Sequence, residues 1–195
     1  MMRMNLWNSN QEDLTTAVGR GEKITKSGVY EFEIKEAYLT NSSSSKAVGI
    51  TLNLENSEGY ARVTLWHKKG DGTDNKFAQK LLNRMVYLLK LKVENLKTEV
   101  KKVKAYSGEE ISRTYITNLA GKEIGVILQA KKDGDNINYE IKDFFDIKTE
   151  KTTNEILNKT EATDVKFYRE KFGATTQPEV TEKEDSVEDD EEFPF

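Results

Sequence analysis

The sequence predicts a mostly β protein with one main helix, in which five strands close a Greek-key barrel and a disordered acidic C-terminal tail follows. Three observations carry that expectation. Three alternating apolar stretches succeed one another between 28 and 67, one stretch with helical spacing lies between 77 and 89, and two further alternating stretches flank a Gly-containing turn at 133–136. Beyond them the charge changes sign. Residues 173–195 carry nine acids against the single base Lys183, a formal −8, while the remaining 29 bases and 25 acids leave the body at +4.

Gly28 opens the first strand, where Tyr30, Phe32 and Ile34 alternate with Glu31, Glu33 and Lys35. The loop Asn41-Ser42-Ser43-Ser44-Ser45 leads to the second, with Val48, Ile50, Leu52 and Leu54 on one face. A turn at 56–59 precedes the third, which sets Ala61, Val63 and Leu65 against Tyr60, Arg62, Thr64 and Trp66. Phe77, Leu81, Leu82, Met85, Leu88 and Leu89 then recur at helical spacing behind Asp74, a residue suited to cap a helix of about four turns. From Lys92 to Leu119 short periodic pieces and a Ser107-Gly108 turn read as an irregular insertion. Ile124, Val126, Leu128 and Ala130, the turn Asp133-Gly134-Asp135-Asn136, and Ile137, Tyr139 and Ile141 predict a closing hairpin.

Composition narrows the class. With 36% hydrophobic residues in 195, one core is expected in a domain spanning 1–150 with an N-terminal extension. A partly helical linker follows at 151–172, its helix near Val165 to Phe172, and then the tail at 173–195. The chain has no cysteine, so no disulfide or thiolate metal site is available and a reducing compartment suits it. No run approaches the roughly 20 apolar residues that span a bilayer, and the first eight residues lack a signal-peptide core. A cytoplasmic protein without membrane contact is expected, with self-association into a homo-oligomer left open.

Strand, strand, strand, helix and strand pair is the order of the five-stranded barrel called the OB-fold. The tail ends on Asp189, Asp190, Glu191, Glu192, Phe193, Pro194 and Phe195, acids leading into aromatic residues around a proline and a free carboxylate. This tip resembles that of bacterial single-stranded-DNA-binding proteins, and phage counterparts also pair an acidic tail with a terminal aromatic. The stretches 121–126 and 138–145 are similar to the closing hairpin of the phage proteins. The resemblance implies a non-enzymatic, cofactor-free protein that covers single-stranded DNA during phage replication or recombination. Its seven terminal residues would recruit replication and recombination proteins, and its location would be the bacterial host cytoplasm. A plain solubilising tail is the alternative, although exposed aromatic residues work against solubility.

Sequence-independent binding of single strands needs cations that track phosphates and rings on which bases stack. Tyr60, Arg62, Thr64 and Trp66 share one strand face, and Lys68 and Lys69 continue it. The competing reading places Tyr60 and Trp66 in a small second core capped by Leu6 and Trp7. A second basic and aromatic patch comprises Lys97, Lys101, Lys102, Lys104, Tyr106, Arg113 and Tyr115, for which an ordinary solvated lysine-rich surface is the alternative. Lys131 and Lys132 sit at the closing hairpin, where OB-folds often clamp a strand. Catalytic motifs are weak. His67 stands alone, Asp71, Asp74 and Asp135 fit turns, and the steps Glu33-Ile34-Lys35 and Glu140-Ile141-Lys142 are all that supports a metal-dependent nuclease. A protein-interaction module that never touches DNA is the other alternative.

Overall fold

A computed structural model describes residues 21–104, 108–134 and 136–173, and the backbone of 179–180. Three long strands come first: β1 (Gly28–Asn41), β2 (Val48–Asn56) and β3 (Gly59–Lys68). Helix α1 (Lys76–Leu88) follows, then the hairpin of β4 (Thr98–Lys104) and β5 (Glu110–Ile116). The hairpin of β6 (Lys122–Asp133) and β7 (Asn136–Asp146) leads to the short β8 (Lys151–Thr152), α2 (Thr153–Asn158), α3 (Asp164–Gly173) and β9 (Glu179–Val180).

The main sheet runs in the order β3-β2-β1-β6-β7-β8, with antiparallel neighbours throughout. β5 joins β1 at Tyr38↔Tyr115, and β9 adds to β6 in parallel. β3 and β7 also lie against each other. The mostly β class is therefore correct. Five strands and one helix are too few: the described residues form nine strands and three helices. The surplus is the largely exposed β4–β5 hairpin and the short β8, α2 and β9, too exposed or too brief to show an apolar period, together with α3, which lies where the linker helix is expected.

The inward residues of the long strands form the core, including Phe32, Ile34, Leu52, Val63, Val126 and Phe144. Ala78, Leu81, Met85 and Val86 cover it from one face of α1. Asn75, not Asp74, caps that helix, its side chain accepting from the Ala78 N–H. A register shift between Ile34 and Glu36 bulges β1 and moves the inward position from even to odd residues. Ala37 is consequently buried, and the strand continues to Asn41, six residues beyond its predicted end.

Helix α3 covers the outer side of β1, β6 and β7, where Val165 and Phe172 pack on Ile127 and Phe145. Gly125 permits this contact, because a Cβ there would overlap the Phe145 ring. The expected helix near Val165 to Phe172 is thus present, and it is packed on the sheet. Among the described residues, no helix is long and apolar enough to cross a membrane.

Glu155 ties α2 to α3. It is only 3% exposed, yet its carboxylate accepts from the N–H groups of Thr152 (2.9 Å), Thr163 (2.6 Å) and Asp164 (2.9 Å). Burial pushes its pKa up, but these N–H groups and the Thr163 hydroxyl outweigh it and hold the carboxyl below the usual 4.5. The charged form is therefore favoured by folding, and that stability is lost as pH falls through the lowered folded value. Glu155→Gln should cost roughly 1–3 kcal/mol at neutral pH, because the amide NH₂ faces donors. Urea melts of both proteins across pH should show the difference narrowing below about 4.5; a difference constant with pH would contradict this reading.

Candidate nucleic-acid interface

The alternation of β3 buries Ala61, Val63 and Leu65 and turns Tyr60, Arg62, Thr64 and Trp66 outward, as predicted. Strand register extends these residues into rows. Trp66 stands opposite Gly49, which stands opposite Thr40; Thr64 is followed by Thr51, Tyr38 and Tyr115; Arg62 is followed by Asn53 and Glu36. The Thr51 hydroxyl is bonded to Thr64 at 2.8 Å within the middle row and to Thr40 of the first row at 2.6 Å. In the third row Arg62 Nε donates to Asn53 at 3.1 Å, and Asn53 donates to Glu36 at 2.6 Å. The indole of Trp66, 36% exposed, lies over Gly49, where a Cβ would come within 3.1 Å of the ring.

The β4–β5 hairpin brings part of the second patch onto the same face. Tyr115 meets Tyr38 edge-on at 5.7 Å, the Arg113 guanidinium lies 4.3 Å over the Tyr38 ring, and the Lys101 ammonium lies 5.8 Å from the Tyr115 ring centre. Two patches whose rings Trp66 and Tyr115 stand 49 positions apart in sequence (115 − 66) thus become one surface from β3 to β4. Tyr38 is only 6% exposed, so it serves as the support on which the Arg113 guanidinium and the Tyr115 ring are held for a nucleobase. Tyr38 is the central residue that sequence reasoning missed. Its signal was hidden by the bulge in β1, without which Tyr38 would face inward with Phe32 and Ile34.

Lys68 and Lys69 are exposed beyond Trp66. Exposed Lys46 joins them, because its N–H donates to the Gly70 carbonyl at 3.0 Å and clips the β1–β2 loop to the β3–α1 loop. Asp71 is a turn residue, as expected, accepting from the Thr73 N–H at 2.8 Å and hydroxyl at 2.7 Å.

Other predicted residues lie elsewhere. Tyr60 sits half-buried where residues 22–24 clamp its backbone, six residues along β3 from Trp66. Burial, followed by the neighbouring Tyr60 and Tyr30 phenols, pushes the nearby Tyr139 hydroxyl up to about 12. Lys102 and Lys104 alternate with Lys101 and so leave the opposite side of the hairpin, Lys102 standing 3.8 Å from Glu110. At the closing hairpin Lys131 pairs with Glu140 at 3.3 Å, while Lys132 is exposed. Tyr106, the capping residues Leu6 and Trp7, and the tip from Asp189 to Phe195 lie outside the described residues.

The lysines of the two Glu-x-Lys steps are closed onto their own glutamates, Lys35 on Glu33 and Lys142 on Glu140, each at 2.6 Å. His67 borders an apolar groove formed with Ile50, Leu82 and Val86. Among the described residues, no three His, Asp or Glu side chains converge as a metal site would require. No protein-family model matches the chain, and no curated protein is significantly similar to it.

Proposed function

We propose that the chain is a non-enzymatic single-stranded-DNA-binding protein that coats DNA exposed during replication or recombination, in the manner of the phage and bacterial proteins its tail resembles. In this reading β1, β2, β3, β6 and β7 correspond to the five strands of an OB-fold barrel. The β4–β5 hairpin is an insertion that widens the binding face, and α3 closes the barrel's far side. One observation carries the proposal: exposed Trp66 and half-buried Tyr115, the latter resting on buried Tyr38, lie on a single sheet face with Arg62, Arg113, Lys101, Lys46, Lys68 and Lys69 around them. Rings and cations so interleaved match bases and phosphates of an unpaired strand.

The test is a titration of labelled oligothymidylate and of duplex at two salt concentrations. Single strands should bind tighter, and neutralising about four phosphates should cost roughly 50-fold between about 50 and about 200 mM salt. Equal affinity for duplex, or binding indifferent to salt, would overturn the proposal and favour a protein-interaction module.

A further inference from the structure

Arg62, in the third row of the sheet face, is a cation held in place without being neutralised. It is exposed, and among the described residues its guanidinium forms no ion pair, whereas Arg84 and Arg169 close on the carboxylates of Asp143 and Glu150. Its orientation is nevertheless fixed. Arg62 Nε donates to Asn53 Oδ1 at 3.1 Å, and Asn53 Nδ2 donates to Glu36 Oε2 at 2.6 Å. Asn53 is only 9% exposed, so its amide has little room to turn. The residue at this position must accept from a cation on one side and donate to an anion on the other, which an amide does and a carboxylate or an apolar group does not.

The bulge in β1 supplies the anion. The register shift between Ile34 and Glu36 sets Glu36 opposite Asn53; without it Glu36, an even residue, would face inward with Phe32 and Ile34. Because the amide stands between them, Glu36 orients Arg62 without cancelling its charge. Nε is tied to the sheet, and the N–H groups of both terminal nitrogens are left for an acceptor from outside the chain. Two such nitrogens in one plane match two oxygens of a phosphate. Stacking on Trp66 and Tyr115 accepts any base, and a phosphate is the acceptor that recurs at every step of a strand whatever its sequence. We propose that Glu36 and Asn53 are positioning residues that aim the Arg62 guanidinium, as a bidentate clamp, at a backbone phosphate of the bound strand. The inference rests on the single-strand-binding reading.

The test is a titration of oligothymidylate with the full chain between about 50 and about 200 mM salt, with the melting temperature of each variant measured alongside. Arg62→Gln should weaken binding about tenfold and lower the slope of log affinity on log salt by about 0.7, the loss of one phosphate contact to a single strand. Glu36→Ala gives the deciding sign. It deletes a negative charge beside the bound polyanion, so electrostatics alone would tighten binding, whereas loss of the relay should weaken it about threefold or more and lower the slope. Glu36→Gln keeps the acceptor and should restore both. Asn53→Leu should act as Glu36→Ala does, and neither should add to Arg62→Gln; if Asn53→Leu does not fold, Glu36→Ala carries the cycle alone. The relay is overturned if Glu36→Ala fails to weaken binding or weakens it without lowering the slope. It is overturned equally if that effect adds in full to Arg62→Gln, or if Arg62→Gln leaves the slope unchanged. A native chain that binds no oligothymidylate overturns the single-strand reading itself; a native chain that binds while the variants break this pattern overturns the relay alone.

Discussion

Replacing Trp66 and Tyr115 together by Ala should weaken oligothymidylate binding by about 2–6 kcal/mol, from roughly 30-fold to more than 10,000-fold, at about 1–3 kcal/mol per stacked base. The two rings stand on β3 and β5, separated by β2 and β1, or about 14 Å at ordinary strand spacing, so their effects should add. Stability should change much less. Trp66 is partly exposed over Gly49, and Tyr115 loses chiefly its edge contact with Tyr38, worth about 0.5–1.5 kcal/mol. If the rings instead complete a second core, each substitution should destabilise the fold by about 3–5 kcal/mol. Binding and urea melts on the same samples decide: a large stability loss with unchanged affinity would remove stacking from the account. Arg113→Ala should reduce affinity less, since Tyr38 and Tyr115 remain in contact without it.

The second large effect belongs to the tail. Removing Phe195 alone leaves the acidic run almost intact, so DNA binding should hardly move, yet capture of replication or recombination proteins should fall by about 2–4 kcal/mol, as expected for an aromatic anchor. Removing 173–195 should act differently. It deletes a formal −8 from a body of +4 and should tighten DNA binding, most visibly at low salt. The backbone of β9 pairs with Lys131 and Lys132, so the acidic segment starts beside the basic closing hairpin. Pull-downs with the intact chain, the one-residue deletion and the truncation separate anchor from charge. If the one-residue deletion captures the same partners equally well, the tip is no anchor; if truncation leaves affinity unchanged, the tail does not compete with DNA.

Much of this arrangement was legible in sequence, for reasons particular to each element. β2 and β3 alternate in sequence because one face meets the main core, and the faces assigned to Val63 and Arg62 or to Leu52 and Thr51 follow from that period; β6 keeps the period at Ile124, Val126 and Leu128 although Ile127 on its other face is also buried, beneath α3. The extension of β1 was not legible, because its bulge reverses the period at Glu36 and hides Tyr38. The β4–β5 hairpin was not legible either, since nearly every β4 residue is exposed and no apolar face imposes a pattern. α2 did leave a mark: Thr152 and Glu155 form a capping box of the kind that announces a helix start. The helix it starts is only six residues long, too short to add an apolar period to that mark. Residues that pair across strands, such as Tyr38 with Tyr115, become neighbours only through register.

Photocrosslinking of bromodeoxyuridine-substituted oligothymidylate to the full chain, with mapping of the modified residues, tests the central claim most directly. The account predicts crosslinks at Trp66 and at Tyr115, suppressed by salt and by excess single-stranded competitor but hardly by duplex. Crosslinks absent from β1, β3 and β5, or displaced equally well by duplex, would contradict it.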